Sequence, residues 1–468
     1  MTVRPNASRV FHRSLRDDLP VAVSASGAVI TDAAGKTYLD ASGGAAVSNL
    51  GHGHPKVVAA VKAQLDRMAF VHTSFFTTEP GERLADKLSA KAPGGRWRVY
   101  YLSGGSEATE AALKLARQIQ VERGEASRDT LVSRWFSYHG NTLGALSVSG
   151  RKSSLDLFGP ILVPNVRRVE PCYAYRLKRE DETLEAYGLR AARSLDTELE
   201  ALGEKRAIAF IAETVSGATL GCVPPAPGYF KEIRRICDRH GALMILDEVM
   251  CGMGRCGTLF ACEQDGVVPD IITLAKGLGG GYQPLGAVMV REELVEILER
   301  GSGAFAHGHT YVGHAAACAA GLAVQEVMEE EKLVERVAAL EPVLRRRLVE
   351  TLGEHPNVGD IRGRGFFQAV ELVADRETKE PFPAEVKLAA RIKKRALANG
   401  LICYPFAGNV DGKRGDHVLL APPFIVTEAQ IGELCDKLVR SIEEVLKETA
   451  PARLRGGDLL QGGARRPE

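Results

Sequence analysis

Two short apolar runs in the middle of the chain, residues 242–246 and 271–275, each end on a charged side chain, Asp247 and Lys276, with a glycine-bearing turn beyond it. Apolar runs of this length, bounded by polar and glycine-rich segments, are the pattern of strands buried on both faces of a parallel sheet. Such sheets bind ligands in the crevice outside the carboxyl ends of their strands, so Asp247 and Lys276 are placed at a ligand site. A lysine carried into a largely buried crevice loses hydration unless something neutralises it. Forming an imine with an aldehyde is one way, and a desolvated lysine is the usual amine nucleophile for that chemistry.

The rest of the chain agrees with an α/β fold. Further strand-like runs occur at 98–102, 130–133, 207–212 and 286–290, with helical spacing between several of them, which predicts a mainly parallel sheet. Helices are expected after Pro55 to about residue 70 and over 79–92, 313–330 and 332–352. One more fills 229–240, with Pro227 in its first turn and Gly241 at its end. Short strands and hairpins are expected in the first 50 residues. A strand over 364–373, a helix over 384–399, a strand over 417–420 and a helix over 427–447 suit a smaller α+β unit. With 468 residues, more than one domain is expected: an N-terminal segment (1–60) packing with the small domain, a large domain (61–335), a C-terminal small domain (336–448) and a mobile tail (449–468).

A formal charge of +1, without basic stripes or acidic tails, points away from nucleic acid, and no apolar run has the length of a membrane span. The polar, arginine-bearing N-terminus lacks the apolar core of a secretory signal. Nine cysteines, none spaced C-x-x-C, read as reduced structural thiols. A cytoplasmic enzyme is the expectation.

Residues 103–110, SGGSEATE, join the strand ending at Leu102 to an amphipathic helix with apolar positions 108, 111, 112, 115, 116 and 119. A strand, a glycine-rich turn and a helix N-terminus together make an anion site, because free backbone N–H groups and the helix dipole converge there. Without G-K-[ST] it is not a nucleotide P-loop. Alternatively, Ser106 only caps the helix; Lys276 and Asp247 downstream favour phosphate. Tyr138, just past the next strand, either stacks on a planar ligand or packs as a half-buried tyrosine. The pairs His52/His54 and His307/His309 lack accompanying ligands at metal spacing, so no metal is expected. The order Ser106, Asp247, His309 fits a serine hydrolase loosely, but that reading gives Lys276 no role. A non-catalytic binding protein is the other alternative, opposed by the intact key positions.

With these residues in place, the sequence resembles the class III, ω-aminotransferase-like group of pyridoxal-phosphate enzymes of fold type I, from about residue 40 to 443. The resemblance rests on six ordered motifs: LGHGHP (50–55), SGGSEATEAALKLAR (103–117), YHGNTLGA (138–145), LDEVMCGMGRCG (246–257), TLAKGLGGGYQPLGA (273–287) and HGHTYVGH (307–314).

The resemblance implies that Lys276 carries pyridoxal 5′-phosphate as an internal aldimine and then shuttles the proton, and that Asp247 pairs with the pyridinium nitrogen. Gly105 and Ser106 would bind the phosphate, joined by Thr310 from the partner subunit of a homodimer. Tyr138 and Val249 would sandwich the ring, with His139 close by. An amino group would pass from an ω-amino acid or amine donor to pyruvate or 2-oxoglutarate in a ping-pong cycle. Diaminopelargonate synthase, glutamate-semialdehyde aminomutase and dialkylglycine decarboxylase share the same cofactor motifs and remain alternatives.

The chain departs from the family pattern in two places. Gly104 replaces a serine of the commoner phosphate turn, and Glu213 lacks the proline that often follows it. Relatives can pair that glutamate with a mobile arginine of the C-terminal domain; Arg414 is the candidate here, with a solvated loop charge as the alternative. Phe75 and Phe76 are candidate substrate-pocket residues or core aromatics.

Overall fold

The computed structural model describes residues 2–449 of the chain. Three antiparallel strands come early, β1 (Ala22–Ser26), β2 (Val29–Asp32) and β3 (Thr37–Asp40). The turn between β2 and β3 is held by Asp32, whose Oδ1 accepts the N–H groups of Ala34 and Lys36. Helices α1 (Pro55–Arg67) and α2 (Glu79–Lys91) follow.

The central sheet is made of β4 (Trp97–Leu102), β5 (Thr130–Arg134), β6 (Val166–Val169), β7 (Ala207–Glu213), β8 (Leu243–Asp247), β9 (Ile271–Leu274) and β10 (Gly286–Arg291), in the order β4-β10-β9-β8-β7-β5-β6. β10 is antiparallel to both neighbours, and the other pairings are parallel. β7, β8 and β9 are buried over their whole length, as two-face coverage requires, and this is why they read as unbroken apolar runs. β6, sequence VRRV, is an edge strand with a partly solvated face. Its two arginines break the apolar run, so it was not expected.

Between β4 and β5 runs α3 (Gly105–Glu122), whose six expected apolar positions are all buried. Between β7 and β8, α4 (Tyr229–His240) is capped by Gly228 at φ +79° and ended by Gly241 at φ +66°. Pro227 therefore lies before the cap, not in the first turn.

α5 (Ala315–Glu330) and α6 (Leu333–Leu352) lead to an antiparallel sheet of β11 (Val358–Arg364), β12 (Phe367–Leu372), β14 (Tyr404–Ala407) and β15 (Asp416–Leu420), in the order β11-β12-β15-β14. The single strand expected over 364–373 is thus the second arm of a hairpin. The chain reverses at Gly365 (φ +56°), where a Cβ would come 2.5 Å from the backbone of Cys256. The first arm carries Gly359 and Gly363, which hide its strand character. The expected helix over 384–399 is broken by Lys387 at φ +51°, with a short turn (Ala384–Val386) before it and α7 (Leu388–Ala398) after it. The two-residue β13 (Leu401–Ile402) pairs in parallel with β3, so the N-terminal strands are completed by the C-terminal part of the chain. α8 (Glu428–Thr449) comes last. Of the expected tail, Thr449 ends this helix and the remaining residues lie outside those described.

One hydrophobic cluster combines Ala28, Leu39 and Val57 with residues of α5, α6, α7, α8 and β12, while separate clusters cover the faces of the central sheet. Among the described residues no helix is long and apolar enough to cross a membrane. All nine cysteines are buried free thiols.

Candidate active site

Three adjacent strands present their carboxyl ends together. Asp247, the last residue of β8, is in register with Glu213 at the end of β7 and with Thr273 in β9, three residues before Lys276. Lys276 has φ +48°, a left-handed conformation uncommon for a residue with a side chain and concentrated at functional sites. Burial pushes its ammonium down to about 8, and the nearby Asp247 and Glu213 carboxylates keep it from falling further. The amine is therefore still mostly protonated at pH 7, with about a tenth of the molecules neutral, and the neutral share grows quickly just above it.

Asp247 is fixed from two sides. The backbone N–H of Val249 donates to its Oδ1 at 3.0 Å, and Nδ1 of His139 lies 2.7 Å from its Oδ2. His139 is itself held where it leaves β5, its N–H donating to Ser149 Oγ at 2.9 Å. Glu213 is only 4 % exposed and accepts the N–H groups of Tyr138 and Gly217 at 3.1 and 2.7 Å. Burial raises its carboxyl above the usual range, the neighbouring Asp247 adds to this, and the His139 side chain opposes it.

The turn after β4 leaves a group of hydrogen-bond donors free, as an anion cradle requires. The first helical bond of α3 runs from Ala108 N–H to Gly104 O, so the N–H groups of Gly105, Ser106 and Glu107 have no partner among the described residues. Ser106 Oγ accepts the N–H of Asn141 at 3.0 Å and keeps its proton to donate. Close packing demands glycine here. A Cβ on Gly105 would lie 2.8 Å from Val249 Cγ1, and one on Gly140 the same distance from Ser106.

These groups line one cavity of about 290 Å³. Gly105 and Ser106 bring free N–H groups and a hydroxyl to it; Lys276, Asp247 and Glu213 bring the charged groups; Tyr138, His139 and Val249 stand beside them. The sequence had not singled out Arg13, Arg151, Tyr404 and Phe406, which also line it. Tyr404 and Phe406 alternate on β14, a two-residue spacing that puts them on one strand face, but nothing local ties that face to the Lys276 crevice.

Other expected residues are not in this cavity. Thr310 and Phe76 line a second one with His72, Tyr100, His307 and His309. Phe75 and Phe76 are 79 % and 65 % exposed, so they are not core aromatics. Arg414 sits in a surface loop, its Nε 2.7 Å from Asp411 and its Nη1 3.0 Å from Glu380. The hydrolase reading fails on geometry as well. His309 belongs to the second cavity, and the histidine beside Asp247 is His139. Among the described residues no group of three or more metal-ligating side chains is arranged to hold an ion.

The cavity fits pyridoxal phosphate in the chemistry of its donors: free N–H groups and a hydroxyl for a phosphate, an amine for an aldehyde, and a buried, oriented carboxylate for a basic ring nitrogen. Comparison with known proteins agrees. A family model described as aminotransferase class-III matches residues 13–442. An uncharacterised aminotransferase of Schizosaccharomyces pombe is 43 % identical over 92 % of this chain and 94 % of its own length. The solved structure of an aminotransferase from Vibrio fluvialis, in a PMP-bound form, superposes with a TM-score of 0.87 at 34 % identity, covering 92 % of this chain and 94 % of that one. An (S)-enantioselective ω-transaminase from Thermomicrobium roseum gives a TM-score of 0.85 at 36 % identity, covering 94 % and 95 %. An aldehyde-ready lysine, an anion cradle and an oriented carboxylate at one sheet edge, on a fold and sequence shared with these enzymes, place the chain in the class III aminotransferases, fold type I enzymes that use pyridoxal 5′-phosphate.

Proposed function

We propose that the donor is an ω-amino acid or simple amine, its amine set away from any carboxylate, and that the acceptor is a short keto acid such as pyruvate or 2-oxoglutarate. The observation that carries this is the mixed lining of the cavity: ionisable groups at the sheet edge, and aromatic and apolar side chains (Tyr404, Phe406, Met250, Ala218) around the remaining space. When bound, the cofactor supplies the aldehyde that takes the amino group and a ring that accepts electrons from the substrate carbon.

The protein's own groups do the rest. Nζ of Lys276 would hold the cofactor and, once released by the donor, act as the base that moves the proton from the amine-bearing carbon. Its depressed proton affinity suits it to give and take that proton near neutral pH. Asp247, oriented by His139 and Val249, would keep a proton on the ring nitrogen. Gly105 and Ser106 would anchor the phosphate, and Tyr138 and Val249 would flank the ring.

We further propose a homodimer in which Thr310 and Phe76 of a second copy reach this cavity. Their exposure beside a cavity that lacks its own Lys276 supports the reading. The unpaired thiols fit a cytoplasmic location. Visible absorbance of the purified protein tests the function. The absorbance should change on adding an amine and return with the keto acid that the enzyme uses. Lys276→Ala should lose turnover by several orders of magnitude while keeping its circular dichroism; substantial residual activity would sink the assignment.

A further inference from the structure

We propose that Arg151, stacked on Phe406 and assisted by Arg13, is the anion subsite that takes the carboxylate of the keto-acid acceptor. The proposal rests on the transaminase reading above and adds a place for the substrate's charge. Of the charged groups in the cavity, the two carboxylates already have donors within the chain: Asp247 has His139 and the Val249 N–H, with the ring nitrogen still to face it in the reading above, and Glu213 has two backbone N–H groups. Arg13 and Arg151 line the same cavity, and neither has an ion-pair partner among the described residues. The charge left to be complemented is positive, so the ligand group that fits is an anion other than the phosphate already placed at Gly105 and Ser106.

Arg151 is also built to hold its position. Gly150, just before it, donates its N–H to Ser137 O at 3.0 Å and accepts from Phe136 N–H at 2.9 Å. A Cβ on Gly150 would lie 2.2 Å from Arg134 O, so this backbone is clamped against the end of β5. The guanidinium lies 4.9 Å from the centroid of the Phe406 ring, a cation–π arrangement that fixes a planar fork. Such a fork matches the two oxygens of a carboxylate. Arg151 immediately precedes a short helix (Lys152–Phe158) between β5 and β6, and Phe406 comes from β14, so a bound carboxylate would sit where these two parts of the chain meet. Arg414 would have to leave both Asp411 and Glu380 to do the same.

The test compares two acceptors that differ only by the carboxylate, 2-oxobutyrate and propanal, in single turnovers of the amino form of the holoenzyme. Arg151→Ala should raise the KM for 2-oxobutyrate roughly 10- to 100-fold, the loss of one charge-assisted contact, and change propanal by less than about threefold. Arg151→Lys should recover part of the loss, and Arg13→Ala should show a smaller loss of the same kind. Arg414→Ala should leave the KM for 2-oxobutyrate unchanged. Competitive binding of butyrate, read without turnover, should weaken in parallel with the 2-oxobutyrate KM. Equal losses on both acceptors would mean that Arg151 only supports the fold. An unchanged 2-oxobutyrate KM in Arg151→Ala, or a loss in Arg414→Ala, would overturn the assignment. If Arg151→Ala fails to fold, Arg151→Lys and Arg13→Ala still decide it. A wild-type enzyme that uses no keto acid would instead defeat the acceptor reading itself.

Discussion

At the scale of single residues, Lys276 costs the cofactor-free protein stability. Its ammonium loses protons near pH 8 when folded, against about 10.4 for a free lysine. Below pH 8 both states are charged and the whole burial cost is present. Between about 8 and 10.4 the folded state sheds its proton while the unfolded state keeps it, so stability recovers as pH rises. Cofactor-free Lys276→Ala should therefore be more stable than cofactor-free wild type at pH 7, by on the order of 3 kcal/mol, with the gap closing toward pH 10. Denaturant titrations at both pH values check this, and a gap that widened with pH would refute it. The same residue shows what a sequence makes legible. Lys276 and Asp247 stood out because each ends a two-face-buried apolar run, where a charge needs a reason. Arg151 and Arg13 did not, since an arginine in a loop is unremarkable until the fold shows which cavity it meets.

At the scale of elements, the turn from β4 into α3 has no room for a side chain at Gly105. Gly105→Ala pushes a methyl into Val249, which also donates to Asp247, so the proposed phosphate cradle and the carboxylate are disturbed together. Overpacking of this kind costs about 1–3 kcal/mol, which should appear as a roughly 5- to 150-fold weaker Kd for pyridoxal phosphate, measurable by equilibrium dialysis of the apoprotein. A Kd unchanged by the substitution would mean that Val249 yields freely. The inner strands and α3 were readable because burial on both faces, or on one helical stripe, writes a regular pattern. β6 and β11 were not: one is an arginine-bearing edge, and the other is interrupted by glycines that serve its hairpin. The cavity wall from β14 was equally silent, because a face of two aromatics has no partner in its own neighbourhood.

At the scale of the whole molecule, the proposed dimer predicts that the anion site is shared. Thr310→Ala should raise the Kd for pyridoxal phosphate about tenfold or more, the value of one hydrogen bond to a charged group, while leaving the mass in sedimentation unchanged. A monomer that holds the cofactor as tightly as the concentrated protein would remove the basis for that reading. The sheet order carries a separate consequence for how the molecule is made. β4, which leads into the phosphate cradle, is an edge strand whose sheet neighbour is β10, with Leu102 paired to Gly286. On a ribosome adding about 5–20 residues per second, that neighbour emerges roughly 10–40 s after β4 does. Through this interval the nascent chain carries a strand with no sheet partner, a row of open backbone donors and acceptors for which a holding chaperone is a natural escort.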